Sequence, residues 1–162
     1  MPYHITAVQP AAPSINDVWV NTITKQRRVW NGAAWVPLSA GTIYTTIVMG
    51  DSTDPLTIGA DKNPLPMEAP CTLTIVEVRL KVKAAPTGAT IIVDVNKNGT
   101  TIFTTQSNRP VIAISATKGN TTTIEVPGLV KGDDLTFDID QVGSTVAGST
   151  IIIEIICVQD IF

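Results

Sequence analysis

The chain has 162 residues, a formal net charge of −3, 15% charged residues and a single histidine. That length suits one ordinary domain plus a small appendage, and the charge offers no basic field for gathering phosphates, which argues against nucleic-acid binding. One histidine all but excludes a Ser-His-Asp triad.

Thr, Ile and Val number 23, 20 and 17. These β-branched types favour the pleated, half-buried surface of a strand, so an all-β chain is expected. Mean hydropathy is +0.25. With few charges the surface falls to Thr, Ser, Asn and Gly, and little repulsion keeps copies apart. No apolar run approaches the roughly 18 residues of a membrane span, and no signal-peptide pattern opens the chain, so synthesis in the cytosol without membrane insertion is expected.

Residues 1–15 hold Pro2, Pro10 and Pro13 without periodicity and read as an extended arm rather than part of a sheet. Residues 16–40 form a small module holding every tryptophan of the chain, Trp19, Trp30 and Trp35. Its pattern is a short strand, a turn and a tight Asn31-Gly32 hairpin, three strands in all. A piece this small rarely buries enough surface to fold alone, and it has neither cysteine nor a metal-ligand set to compensate. The tryptophans are then either the core of a meander, a flat platform for sugar rings, or a protein interface, for which Val18, Trp19, Trp30, Trp35 and Val36 are the candidate residues.

From residue 41 onward eight strands are expected. Ile43–Met49 comes first, followed by a loop carrying Pro55, Pro64, Pro66 and Pro70. Val76, Val78, Leu80 and Val82 then alternate with Glu77, Arg79, Lys81 and Lys83, whereas Leu73 and Ile75 fall in the opposite phase. A bulge near Ile75–Val76 would reconcile the two. Ile91–Asn96 runs into Asn98-Gly99, a type I′ hairpin signal, and on to Thr101–Thr105. Val111–Ile114, Thr122–Val126 and Leu135–Ile139 follow. In Thr150–Val158 both phases are apolar except at Glu154, so that strand should lie centrally, covered on both faces. This spacing fits an antiparallel β-sandwich, jelly-roll-like rather than immunoglobulin-like.

Chemistry finds little to use. Asp138 and Asp140 have a strand spacing near that of glycosidase acids, but such pairs are usually a solvated face. Asp51, Asp54 and Asp61, or Asp133 and Asp134, are the loop acids a calcium ion would need, without a recognised spacing. Cys71 and Cys157 read as small buried hydrophobes. No cofactor or metal is expected.

The Trp module, with Asp17-Val18-Trp19, Trp30-Asn31-Gly32 and Trp35-Val36, resembles a small module of tailed-bacteriophage virion proteins. Lys83 to Gly88, Val93 to Thr100 and Asp138 to Gly148 are similar to a β-sandwich of phage structural proteins. The resemblance implies a non-enzymatic structural or adhesive protein at the virion surface, often trimeric. It would be either a capsid decoration (cement) protein seated on the major capsid protein, or a tail-associated receptor-binding protein gripping host glycan or protein. It carries no catalytic residues.

Overall fold

The computed structural model describes residues 3–23, 27–37, 40–49, 54–63 and 65–159. The chain is all-β, and it divides into two compact units: Met1–Thr42 with Val158–Phe162, and Ile43–Cys157.

The first unit is a four-stranded sheet in the order β1-β2-β3-β4. Its strands are β1 (Tyr3–Thr6), β2 (Val18–Asn21), β3 (Arg27–Trp30) and β4 (Trp35–Pro37). Expectation and structure differ at β1. The start of the supposed arm is a strand, parallel to β2, with His4 opposite Trp19 and Ile5 opposite Val20. The prolines flank Tyr3–Thr6 rather than interrupt it, so every N–H that the ladder needs is present. The loop at Asn31 is also longer than a two-residue hairpin: Trp30 pairs with Trp35, and Asn31 Oδ1 accepts from the N–H groups of Ala33 and Ala34 at 2.9 and 2.8 Å.

The second unit contains two five-stranded sheets that share one core, a sandwich-like arrangement. Its strands are β5 (Ala40–Met49), β6 (Met67–Glu68), β7 (Leu73–Ala84), β8 (Ile91–Lys97), β9 (Thr100–Thr101), β10 (Val111–Ile112), β11 (Lys118–Thr121), β12 (Gly128–Leu129), β13 (Asp134–Gln141) and β14 (Ser149–Gln159). One sheet runs β10-β8-β13-β6 with β9 on β8. The other runs β11-β7-β14-β5 with β12 on β7. Phe103, Phe137, Leu80, Ile151 and Ile153 are among the side chains fully removed from water.

Several expectations hold. β14 lies between β7 and β5, and Ile151, Ile153 and Ile155 are buried. Along β7 the inward phase switches between Ile75 and Val78, leaving Val76 40% exposed. At Asn98-Gly99 both residues have positive φ, 50° and 78°, as a type I′ turn requires.

Two expected strands move. Thr101–Thr105 ends at Thr101: the Ile102 N–H still donates to the Val95 carbonyl at 2.9 Å, but Ile102 and Phe103 are both buried in the core at 0% exposure. Thr122–Val126 is not a strand. Lys118–Thr121 and Gly128–Leu129 pair with β7 in its place, so tertiary pairing overrides the weak β propensity of Lys-Gly-Asn.

Candidate functional site

In the Trp module, Trp35 is the hub. Its ring centroid lies 5.9 Å from that of Trp19, 5.7 Å from that of Trp30 and 6.4 Å from that of His4, every pair edge-to-face. Such pairs add to area burial because the positive ring edge meets the negative face. Trp19 Nε1 donates to the Thr6 carbonyl at 3.1 Å, fastening β1 to the indole cluster.

Beneath the cluster lies Asp17. Its Oδ2 accepts from the Ser14 N–H at 2.9 Å and sits 3.2 Å from His4 Nε2. The Ser14 bond first, then His4, hold the Asp17 carboxyl below its ordinary value despite burial. A carboxylate with a depressed folded pKa stabilises above the unfolded value near 3.8 and loses that contribution as pH falls through the folded value. Indole-monitored melting of the module should therefore drop between pH 5 and pH 3. Asp17→Asn should melt lower at pH 7 and lose that acid dependence.

Of the five candidate interface residues, Val18, Trp19 and Trp35 are 3%, 6% and 6% exposed. These three are the interior of a small sheet, as in the meander reading, and as they stand they offer no surface to a partner or a sugar ring. Trp30 is half-buried, and the side chain of Val36 lies outside the described residues. Among the described residues the module's exposed large apolar groups are instead Ile5, Val8, Ile15 and Ile23, at 67%, 76%, 67% and 75%. Ile5, Val8 and Ile23 lie where β1 and β2 end, since Thr6 is opposite Asn21 and the Thr22 N–H donates to the Thr6 carbonyl, whereas Ile15 precedes β2 at its other end, beside Gly32. Composition could not single them out, because isolated aliphatics between prolines and asparagines carry no periodic signal.

Among the described residues, Asp17 Oδ1, Arg27 Nε and Trp35 Nε1 are buried polar atoms of the module without a hydrogen-bond partner. An unpaired buried donor such as the Trp35 indole N–H costs about 1–3 kcal/mol.

The acids Asp138 and Asp140 are held by hydrogen bonds and an ion pair. Asp138 accepts from the Asp61 N–H and from Asn96 Nδ2, at 2.8 and 2.9 Å, while Asp140 is paired with Arg109. Between them the β8 register slips, Ile139 facing Val93 and Gln141 facing Ile92, so the two acids are not successive outward residues of a regular strand. Burial pushes Asp94 up, opposed by its bonds from Thr101 Oγ1 and the Val95 N–H. Asp133 accepts from the Val130 N–H and from Asn98 Nδ2, which hold its carboxyl low. Asp51 lies outside the described residues. Among the described residues no three acidic, cysteine or histidine groups gather as a metal would require. Cys157 is 4% exposed, with its thiol pushed up to about 11 by burial, and Cys71 packs against the same core.

No protein-family model matches the chain, and no curated protein matches it. Among the described residues no helix is long and apolar enough to cross a membrane.

Proposed function

We propose that this chain is a non-enzymatic phage structural protein, a capsid decoration (cement) protein whose N-terminal module seats on the shell while a jelly-roll-like sandwich projects outward. One observation carries the reading: Ile5, Val8 and Ile23 stand in water at 67–76% exposure at one end of a module whose Trp19 and Trp35 are turned inward. A unit of this size has little stability in reserve. Large aliphatics left in water at one end of a small sheet are what a docked element presents before it docks. The resemblance of the Trp motifs to phage virion modules supplies the setting, the virion surface, and the major capsid protein as the partner. Neither nucleic acid, membrane nor cofactor enters this reading.

The low charge favours a homotrimer, so light scattering of the purified chain at micromolar concentration should give three times its 17.2 kDa. A monomer would contradict that stoichiometry. Quantitative mass spectrometry of purified particles tests the assignment itself. A copy number matching the shell lattice supports decoration, whereas a handful of copies per particle favours the alternative, a tail-associated receptor-binding protein.

A further inference from the structure

The outward face of β7 and β11 carries a second feature, remote in sequence from the Trp module. Antiparallel register sets Lys118 opposite Lys81 and Asn120 opposite Arg79. Residues two apart on a strand share a face, so these four side chains form the corners of one outward square. A cavity of about 250 Å3 opens over them, lined also by Glu77, Leu80 and Gly119.

Charge is uneven within this square. Arg79 donates to Glu77 at 2.7 Å, Lys81 to Glu154 at 2.6 Å, and Asn120 to the other oxygen of Glu77 at 2.8 Å. Among the described residues Lys118 has no carboxylate partner. Like charges directly opposite in a sheet are destabilising, yet here Lys81 and Lys118 face each other in a chain whose net charge is −3. Glu154 already neutralises Lys81, so Lys118 is the cation left over in the square, and an anion there would meet both ammonium groups.

We propose that this cavity binds a carboxylated sugar ring. The carboxylate sits between Lys118 and Lys81, Asn120 and Glu77 serve the ring hydroxyls, and the lysine stems supply apolar walls. Size selects the class. The volume holds about eight waters at ~30 Å3 each, more than a bare phosphate needs, and falls short of the roughly 300–1,000 Å3 of ordinary small-molecule pockets, so it suits one ring. The inference goes beyond the virion reading and stands or falls without it.

The test is an NMR titration of the isotope-labelled full chain with glucuronate, inorganic phosphate and glucose in parallel. Glucuronate should shift the Lys81, Gly119 and Asn120 amides saturably with a Kd on the order of 1 mM, and the other two should bind about tenfold more weakly or worse. Lys118→Met should weaken glucuronate about tenfold, against no change for Lys131→Met. Without ligand, Lys118→Met should melt at or above the parent temperature, so lost binding is not lost folding. Absence of saturable shifts at those amides, phosphate binding as tightly as glucuronate, or equal effects of the two lysine variants would each overturn the proposal.

Discussion

Trp35→Ala is expected to unfold the N-terminal module and leave the sandwich intact. The substitution removes the ring that His4, Trp19 and Trp30 all pack against. Truncating a buried tryptophan costs about 3–5 kcal/mol. A unit of this size rarely has more than that to lose. The readout is clean because every tryptophan of the chain lies in this unit, so the remaining indole emission reports the module alone. Circular dichroism follows mainly the second unit. Expected are red-shifted emission at 25 °C and an unchanged dichroism melt. A parallel fall of both signals would mean that the two units share one cooperative core.

Gly119→Ala should cost about 3 kcal/mol, the upper part of the overpacking range. A Cβ there would stand 1.9 Å from the Val111 carbonyl oxygen and 2.7 Å from its carbon. Both are backbone atoms of β10, which belongs to the other sheet, so no side chain can swing aside. The glycine thus marks where the edges of the two sheets close on each other. Gly128→Ala is the matched control, since its Cβ would meet nothing within 4 Å, and a change within about 0.5 kcal/mol is expected. Urea denaturation followed by dichroism measures both. Equal losses would contradict the close approach of β10 and β11.

What the sequence made legible was what local periodicity can encode. β7 and β14 were readable because alternation and a two-phase apolar run each imply how many faces are covered. Asn98-Gly99 was readable because the turn needs positive φ at both positions. β1 was not, since four residues between prolines carry no period, and their parallel place beside β2 depends on Trp19 reaching back to Thr6. β11 was hidden for a different reason: Lys118-Gly119-Asn120 has poor strand propensity, and it is a strand because it pairs with the backbone of β7 where the absence of a Cβ at Gly119 lets Val111 approach. The tryptophans signalled a small aromatic module but not which side it turns out. Three of the five side chains expected at an interface are its interior, and the exposed groups are aliphatics with no pattern of their own. The square of Lys81, Lys118, Arg79 and Asn120 exists only once the register is known.

The central claim is that the end of the module bearing Ile5 and Ile23 is covered in the working particle. Single cysteines at these positions, in a Cys71→Ser background, measure this directly, because the buried Cys157 thiol, pushed up to about 11, should stay silent in the native state. Ile5→Cys and Ile23→Cys should react readily with a maleimide in the free chain and be protected on intact particles, while a cysteine at the exposed Lys131 reacts in both. Equal labelling of Ile5→Cys and Ile23→Cys in the free chain and on the particle would contradict the docking account.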